Sequence, residues 1–474
     1  MEETAGEWID AARAAERLGV KPATLYAYVS RGVLRRRRAP DGRRSLFDPA
    51  EIEELARRGR PRRPPGASEL VIESRVTALG DDRPYYRGRD ALTLAGSDDF
   101  EAVAEWLWAA EPSSARDDAS RPSPQAGGDA SLSGPQAGGD AWQSGPQAGG
   151  DASLSGPQAG RDAWQPSPQA GGDAWQPSSQ VGGDAWRASP QAVAVARAAQ
   201  SGLPGETLPL DRLQVITTAL AAADPVRLVF DAPAVVALGR RLIAGMVESL
   251  PAARGEADPP DGASIAARLW TRLTPQEPRP AAVRALNAAL VLLADHELAA
   301  SALAARVAAS VRADPYAVVT AGLGAAGGGL HGGASLGAEA LLAEISTPER
   351  AARVIGERLR RGEGVPGFGH RVYRLRDGRA GCLFGLVRDA APGHERLAAA
   401  EAVLAEARGR GLPGVNVDFA LATLGAVTGM GRGAGEAIFA VARTAGWLAH
   451  ALEEYARGTP LRPRAIYTGR PRAM

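Results

Sequence analysis

The sequence of 474 residues has little of what defines several protein classes. Its single cysteine, Cys382, excludes an internal disulfide framework and is typical of a reducing cytoplasm, where we expect the protein to reside. Charged residues break every apolar run well short of the ~18 residues that a membrane-spanning helix needs, so we expect no membrane partner. The N-terminus lacks the basic start and apolar stretch of a secretory signal. The 55 basic and 54 acidic residues nearly cancel, which excludes a uniformly basic nucleic-acid coat.

The remaining composition is that of a globular protein. Hydrophobic residues make up 45% and charged residues 23%, so a sizeable core can form. At ~150 residues per domain, the length allows about three domains. Lys21 is the only lysine, and this general preference for arginine weakens any argument from a local arginine-rich patch.

The first 66 residues form a basic segment that ends in a proline-rich linker. They carry 15 basic and 10 acidic side chains. Two short helices are predicted around Gly19, one over Asp10–Leu18 and one from Pro22 to Ser30. Asp41-Gly42 indicates a turn between strands, and Asp48 is placed to cap a third helix.

Helix, turn, helix and basic hairpin resemble the winged helix-turn-helix of the MerR and excisionase type, over residues 6–60. The resemblance implies a recognition helix that reads DNA and a wing that touches phosphates. The alternatives, a module that serves assembly or is inert, stay open. The implied DNA-binding residues are Thr24, Tyr26 and Arg31 in the helix, and Arg36, Arg43 and Arg44 in the wing.

Residues 112–189 contain a tandem repeat with a period of 11 residues. PQAGGDASLSG begins at Pro124 and returns unchanged at Pro146. Glycine pairs and prolines forbid a helix, and each unit offers at most one tryptophan or leucine to bury. We therefore predict a disordered insertion.

The rest of the chain, 67–111 and 190–474, predicts a mainly α-helical domain with glycine-rich loops. Three titratable residues there have unusual neighbours: His331 in GGGLHGGA, His370 in PGFGHRVY and Asp418 in NVDF. Glycine lets the backbone approach a ligand closely, and apolar neighbours raise the pKa of a carboxylate. A buried carboxylate and two loop histidines can remove a proton next to a carbonyl and stabilise the enolate. No cysteine cluster or HExxH sequence is present, so we expect no zinc site.

Six motifs, three of which contain these residues, follow one another in a familiar order. LADHELAAS, GLHGGA, GFGHRVYRLRDGRA, NVDF, AVARTAGWLAH and RPRAIYTG have the order and spacing seen in citrate synthases, and residues 85–108 are similar to that family's N-terminal segment. The resemblance implies a citrate synthase-like fold with a large and a small helical domain, and a homodimer with active sites shared between subunits. It also implies condensation of acetyl-CoA with oxaloacetate, with acetyl-CoA as substrate and no cofactor.

The resemblance assigns a role to each matching residue. Asp418 would take a methyl proton from acetyl-CoA, His331 would donate to the enol oxygen, and His370 would donate to the oxaloacetate carbonyl. His296, Arg379, Arg443 and, from the partner subunit, Arg462 match the oxaloacetate-binding positions. The implied CoA-binding positions are Val365, Gly367, Gly369 and Arg374.

Four positions depart from the family pattern. Gly329 and Gly378 replace prolines, and Ala299 and Ser335 replace asparagines. We expect the two glycines to loosen the loops that hold His331 and Arg379. Three alternatives remain. One is a 2-methylcitrate synthase that uses propionyl-CoA, and another is a transcriptional regulator that senses metabolites with weak or no turnover. The third is a protein with both activities, in which closure of the small domain on substrate changes the affinity for DNA.

These observations together divide the chain into six segments. They are a winged helix-turn-helix and linker (1–66), the first part of the large domain (67–111), the disordered insertion (112–189), the continued large domain (190–332), a small domain (333–425) and a C-terminal part and arm (426–474).

Overall fold

The computed structural model describes residues 8–18, 20, 25–26, 28–29, 34–39, 45–49, 51–52, 71–109, 185–255, 262–374 and 376–464. The chain divides into two compact units, one of Met1–Glu73 with Pro463–Met474 and one of Ser74–Arg462. No helix among the described residues has the length and apolar character needed to cross a membrane.

The N-terminal unit contains the predicted helix and hairpin. Its elements are β1 (Ile9–Asp10), α1 (Ala11–Leu18), β2 (Arg36–Arg38) and β3 (Ser45–Phe47). The strands form an antiparallel sheet in the order β1-β3-β2, with Arg38 opposite Ser45. The predicted Asp41-Gly42 turn lies outside the described residues. The unit has a small apolar core of its own, which consists of Ile9, Ala14, Ala15, Leu25, Tyr28, Leu34, Phe47 and Ile52.

The larger unit begins with a three-stranded antiparallel sheet. Its strands are β4 (Thr77–Leu79), β5 (Pro84–Tyr86) and β6 (Arg89–Asp90), in that order. Arg87 and Gly88 join β5 to β6 with φ angles of 45° and 82°, the left-handed conformations that a tight two-residue hairpin turn requires. We refer to residues 77–90 as the N-terminal hairpin.

Helices make up most of the other described residues of this unit, as predicted. They are α2 (Ala91–Ser97), α3 (Phe100–Trp108), α4 (Pro190–Gln200), α5 (Pro209–Ala223), α6 (Ala232–Ser249), α7 (Ile265–Leu273), α8 (Pro280–Leu293), α9 (Ala300–Ser310), α10 (Pro315–Ala326), α11 (Ala334–Glu344), a short 3-10 helix (Pro348–Arg350), α12 (Ala351–Arg360), α13 (Gly378–Ala390), α14 (Glu395–Gly409), α15 (Val417–Thr428) and α16 (Ala434–Arg457).

Two buried helices, α8 and α16, form the centre of the unit. The apolar, alanine-rich stretch 284–311 spans most of α8 and all of α9, which are separated by a break at 294–299. At that break Gly446 of α16 donates its N–H to the Ala294 carbonyl at 3.0 Å. A Cβ at Gly446 would lie 2.5 Å from the same oxygen, so glycine is needed for this approach. The contact places Arg443 of α16 near His296, which lies within the break.

The last repeat unit corrects the predicted boundary of the insertion. Residues 112–184 lie outside the described residues, but residues 185–189 are ordered and Trp186 is 2% exposed. Its ring stacks on that of Trp108, with 5.7 Å between the ring centres, and lies against the ring of Phe100, with 6.4 Å between the centres. The prediction of disorder up to residue 189 was therefore wrong for these five residues. The tryptophan fills a site formed by α3, which is distant in sequence.

Candidate active site

One cavity of about 360 Å³ is lined by most of the residues that were predicted to be catalytic or to bind oxaloacetate. It is lined by His296, His331, Gly369, His370, Arg379, Asp418 and Arg443, together with Leu79, Leu330 and Phe439. These residues come from the N-terminal hairpin, the α8–α9 break, the loops before α11 and α13, the first turns of α13 and α15, and α16. The fold therefore brings them together from distant parts of the chain.

A glycine-rich loop holds His370 next to the helix that carries Asp418. Gly367 and Gly369 adopt φ angles of 86° and 84°. The Gly369 N–H donates to the Gly414 carbonyl at 2.7 Å, and the Asn416 N–H donates to the Gly367 carbonyl at 2.9 Å. A Cβ at Gly367 would lie 2.7 Å from that of Phe419, so only glycine satisfies both the backbone angle and the packing.

Asp418 lies in the first turn of α15. The Asn416 side chain caps this helix by accepting the Asp418 N–H at 3.1 Å. Burial raises the pKa of Asp418 to about 6, although the nearby Arg379 acts in the opposite direction. A carboxylate with a pKa close to neutrality is ionised at physiological pH and still basic enough to accept a proton.

The backbone fixes the tautomer of His370. Its Nδ1 accepts the N–H groups of Val372 and Tyr373, both at 3.1 Å, so the proton of the neutral ring lies on Nε2. Burial, followed by the charge of Arg379, lowers the pKa of His370 and favours that neutral ring. His370 Nε2 is 3.3 Å from Arg379 Nη2. Two donors that lie this close together form a site for a carbonyl or carboxylate oxygen.

Asp377 orients Arg379. Its carboxylate, 2% exposed, accepts Arg379 Nε and Nη2, both at 2.9 Å. The same carboxylate accepts the backbone N–H of Arg379 at 3.1 Å and that of Val417, also at 3.1 Å. Bidentate pairing fixes the plane of a guanidinium, and the bond to Val417 couples it to the helix of Asp418.

His296 lies at the α8–α9 break and is 9% exposed. Its Nε2 is 3.0 Å from the Tyr373 hydroxyl. Burial, then the charges of Arg379 and Arg443, lower the pKa of His296 well below its usual value. The imidazole is therefore neutral and has one N–H to donate.

His331 lies between α10 and α11. Its Nε2 is 2.7 Å from the Ser301 hydroxyl, and its ring meets that of Phe439 edge-on at 5.4 Å. Burial, with a smaller effect from Arg443, lowers the pKa of His331 to about 4, so this imidazole is neutral as well. A Cβ at Gly332 would lie 2.6 Å from the Ala326 carbonyl, which explains the glycine beside it.

Arg443 is buried on α16 and is 2% exposed. Its Nε donates to the Leu293 carbonyl at 2.8 Å, and its guanidinium lies 4.6 Å from the centre of the Phe439 ring. With Arg379, it gives the cavity two cationic groups suited to a dicarboxylate.

Other predicted residues lie elsewhere. Val365, Gly367, Arg374 and Arg462 are described but do not line the cavity. In the N-terminal unit Tyr26 is 40% exposed and Arg36 is exposed. Thr24, Arg31, Arg43 and Arg44 lie outside the described residues.

Several positioning residues were missed by the sequence reasoning. Asp377 and Tyr373 belong to the motif that contains His370, and their position between two predicted site residues was the available signal. Ser301 gave no such signal, because its contact with His331 spans 30 residues and depends on how α9 packs.

Gly378 does not loosen its loop as expected. Its N–H donates to the Asp82 carbonyl at 2.7 Å, and a Cβ there would lie 2.9 Å from that oxygen. Proline has no N–H to form this bond, so glycine gives a tighter contact here. At Gly329 a Cβ would meet nothing within 4 Å. Ala299 is the N-cap residue of α9 and makes no side-chain cap bond, and the Ser335 hydroxyl donates to the Gly332 carbonyl at 3.3 Å.

Comparison with known proteins gives matches for both units. A family model described as "Citrate synthase, C-terminal domain" matches residues 184–464, and a helix-turn-helix domain model matches residues 8–60. Citrate synthase 2 of Bacillus subtilis is 39% identical over 219 residues, 45% of this chain and 58% of the relative. Citrate synthase of Synechocystis is 34% identical over 273 residues, 55% of this chain and 69% of the relative.

A relative with a different printed activity matches as well. 2-Methylcitrate synthase 1 of Corynebacterium glutamicum is 29% identical over 283 residues, 56% of this chain and 74% of the relative. The chain spans less than three fifths of the length of the Bacillus relative and of the Haloferax volcanii and Acidithiobacillus ferridurans citrate synthases it matches.

Solved structures share the fold. Citrate synthase from Pyrobaculum aerophilum aligns with a TM-score of 0.61 and 22% identity, over 93% of this chain and 96% of that chain. The ternary complex of carboxymethyl coenzyme A and oxaloacetate with the Thermoplasma acidophilum enzyme aligns with a TM-score of 0.60 and 20% identity, over 86% and 96%.

Proposed function

The chain belongs to the citrate synthase family, and we propose that it condenses acetyl-CoA with oxaloacetate and water to give citrate and CoA. The observation that carries this proposal is the convergence of one carboxylate of raised pKa and three neutral imidazoles on a cavity with two arginines. This set supplies a base, hydrogen-bond donors for an enol and a carbonyl, and cations for a dicarboxylate.

The first step is enolisation. Asp418 removes a methyl proton from acetyl-CoA, and a neutral His331 donates a hydrogen bond to the thioester oxygen as it gains enol character. A Ser301 hydroxyl that donates to His331 Nε2 leaves Nδ1 as the protonated nitrogen for this task. The pKa of about 6 for Asp418 keeps the base ionised at neutral pH.

The second step forms the carbon–carbon bond. Arg379, Arg443 and His296 hold the oxaloacetate carboxylates, and His370 Nε2–H donates to the carbonyl that the enol attacks. The backbone amides on His370 Nδ1 keep that proton on Nε2. Water then hydrolyses the citryl thioester and releases CoA.

The test is CoA release by the purified full-length protein with oxaloacetate. Asp418→Asn, His331→Ala and His370→Ala should each reduce the rate by 10²-fold or more while oxaloacetate still binds, because general acid and base groups contribute about that much. Asp389→Asn, an exposed carboxylate on α13, is the control and should leave the rate unchanged. Retained turnover by Asp418→Asn would refute its role as the base.

Propionyl-CoA is the alternative acyl donor. The match to a 2-methylcitrate synthase favours keeping it as a second candidate, since one additional methylene changes binding by only about 1–3 kcal/mol. Comparing kcat/KM for acetyl-CoA and propionyl-CoA in the same assay decides between the two products.

We further propose a homodimer in which Arg462 completes the partner's site. Arg462 is exposed and lies outside the cavity lining of its own chain, and its neighbour Leu461 bonds to Ser310 of α9. The test mixes inactive Arg462→Ala and Asp418→Asn subunits. A shared site predicts recovery of about a quarter of the wild-type rate, since half of the dimers are mixed and each has one intact site. No recovery would contradict sharing.

DNA binding by the N-terminal unit is a separate proposal. The helix-turn-helix match and the exposed Tyr26 and Arg36 support it. Full-length protein should bind duplex DNA with an affinity that falls steeply with salt, and Arg36→Ala should weaken binding and reduce the salt slope by about one. Arg254→Ala, an exposed arginine of the larger unit, is the control. DNA binding and oxaloacetate binding without CoA release would instead favour a metabolite-sensing regulator.

A further inference from the structure

The N-terminal hairpin contacts both halves of the cavity. Leu79 of β4 lines the cavity directly. Other hairpin residues bond to the segments that carry His296 and Arg379, which are 83 positions apart in the sequence. The hairpin is therefore the element that can set the distance between these two groups.

The first contact is made by Tyr86 of β5, which is fully buried. Its hydroxyl donates to the Val291 carbonyl at 3.0 Å and is 3.2 Å from the Asp295 carbonyl. The Asp295 N–H in turn points to the hydroxyl oxygen at 3.4 Å. The Tyr86 side chain thus provides hydrogen-bond partners for backbone groups at the end of α8, immediately before His296.

The second contact is made by Asp82, in the turn between β4 and β5. Its carbonyl accepts the N–H of Gly378 at 2.7 Å. Its carboxylate accepts Arg376 Nη2 at 2.8 Å and Arg83 Nε at 2.7 Å. Both the main chain and the side chain of Asp82 therefore hold the segment that leads into α13, one residue before Arg379.

Glycine at position 378 makes this approach possible. A Cβ there would lie 2.9 Å from the Asp82 carbonyl and 3.0 Å from Leu92 Cδ1. The carbonyl belongs to the backbone, so it cannot rotate away, and a side chain would push the hairpin and the start of α13 apart. By contrast, a Cβ at Gly381, one turn further along α13, meets nothing within 4 Å.

We propose that the N-terminal hairpin is a positioning element for oxaloacetate. Asp82 and Gly378 act through Arg379, and Tyr86 acts through His296, so that the donors on the two sides of the cavity match the span of one small dicarboxylate. This inference rests on the proposed function for the identity of the ligand. Asp82 and Tyr86 do not line the cavity, so they set the affinity for oxaloacetate through Arg379 and His296 without affecting acetyl-CoA.

The experiment measures the Kd for oxaloacetate by calorimetry and, in parallel, the KM for both substrates. A displacement of about 1 Å can cost about 100-fold in rate, so we expect Asp82→Ala and Gly378→Ala to weaken oxaloacetate binding by about 10-fold or more. The KM for acetyl-CoA should stay within about 2-fold. Tyr86→Phe, which removes only the hydroxyl, should act in the same direction.

Two matched variants separate positioning from general destabilisation. Asp81→Ala removes the exposed neighbouring carboxylate, and Gly381→Ala repeats the glycine change on α13 where there is space. Both should bind oxaloacetate like the wild type. A variant that only lost stability would melt earlier but keep the wild-type Kd in its folded fraction.

The outcomes are distinguishable. If Asp82→Ala and Gly378→Ala bind oxaloacetate with the wild-type Kd, the inference is overturned, whatever the turnover. If the wild type binds oxaloacetate and releases no CoA, the proposed reaction fails while the positioning inference is still decided by the Kd values. A wild type that binds no oxaloacetate overturns both.

Discussion

Removing the charge of Asp418 should stabilise the protein while it abolishes catalysis. Burial raises the pKa of this carboxyl from 3.8 to about 6, so the folded state holds its proton more tightly than the unfolded chain does. The resulting contribution to stability is fully present below pH 3.8 and is lost as the pH rises through about 6. At neutral pH the folded protein therefore carries an unfavourable, partly buried charge, which Asp418→Asn replaces with a neutral side chain of the same shape.

The size of the effect follows from the two pKa values. The difference between them predicts that Asp418→Asn has a higher free energy of unfolding than the wild type, by about 3 kcal/mol at pH 7.5 and about 1 kcal/mol at pH 4.5. For a folded unit of about 300 residues, 1 kcal/mol shifts the Tm by about 1–2 °C. The Tm of Asp418→Asn should therefore exceed that of the wild type by about 3–6 °C at pH 7.5 and by about 1–2 °C at pH 4.5.

The assay is thermal unfolding of both proteins across this pH range, with CoA release measured on the same samples. Asp389→Asn, which alters an exposed carboxylate, is the control and should show no gain that grows with pH. An Asp418→Asn protein that melts at or below the wild-type temperature at pH 7.5 would refute the reasoning, because its carboxylate would then be stabilised by its surroundings. A stabilised variant with full turnover would refute the catalytic role instead.

Four further predictions test other parts of the structure. The value of kcat/KM should fall as the pH is lowered through about 6, because Asp418 becomes protonated; a pH–rate profile checks this. Gly367→Ala should destabilise the protein by about 1–3 kcal/mol or more in urea unfolding, whereas Gly364→Ala, which has open space and an ordinary φ, should not. Ala299→Asn should raise stability by about 1 kcal/mol in the same assay, because it supplies the missing cap of α9. Trp186→Ala should cost about 3–5 kcal/mol, and a loss below 1 kcal/mol would contradict its place in the core.

Local sequence signals were sufficient for most of the fold and for the chemical groups of the site. Proline and aspartate residues at helix starts act through neighbours in the chain, so the helical character was predictable. The Asp41-Gly42 sequence is a local signal too, and the strands predicted on either side of it do pair. The glycines around His370 also pointed to their role, since a left-handed backbone and a close approach are local requirements.

Contacts between distant segments could not be read from the sequence. The sequence around Trp186 does not distinguish it from the other tryptophans of the repeat, because its burial depends on the stacking partner Trp108 in α3. The prediction that Gly378 loosens its loop failed because its partner, Asp82, is almost 300 residues earlier in the chain. In both cases the residue's contribution to stability depends on a contact with a distant segment, which forms only in the folded chain.

The most direct test of the central claim is product analysis of the wild-type, full-length protein incubated with acetyl-CoA and oxaloacetate. The proposed chemistry of Asp418, His331 and His370 predicts that citrate and free CoA appear in equal amounts, and that Asp418→Asn yields neither while it still binds oxaloacetate. Oxaloacetate binding by the wild type without citrate or CoA would contradict the assignment of this cavity as a citrate-forming active site.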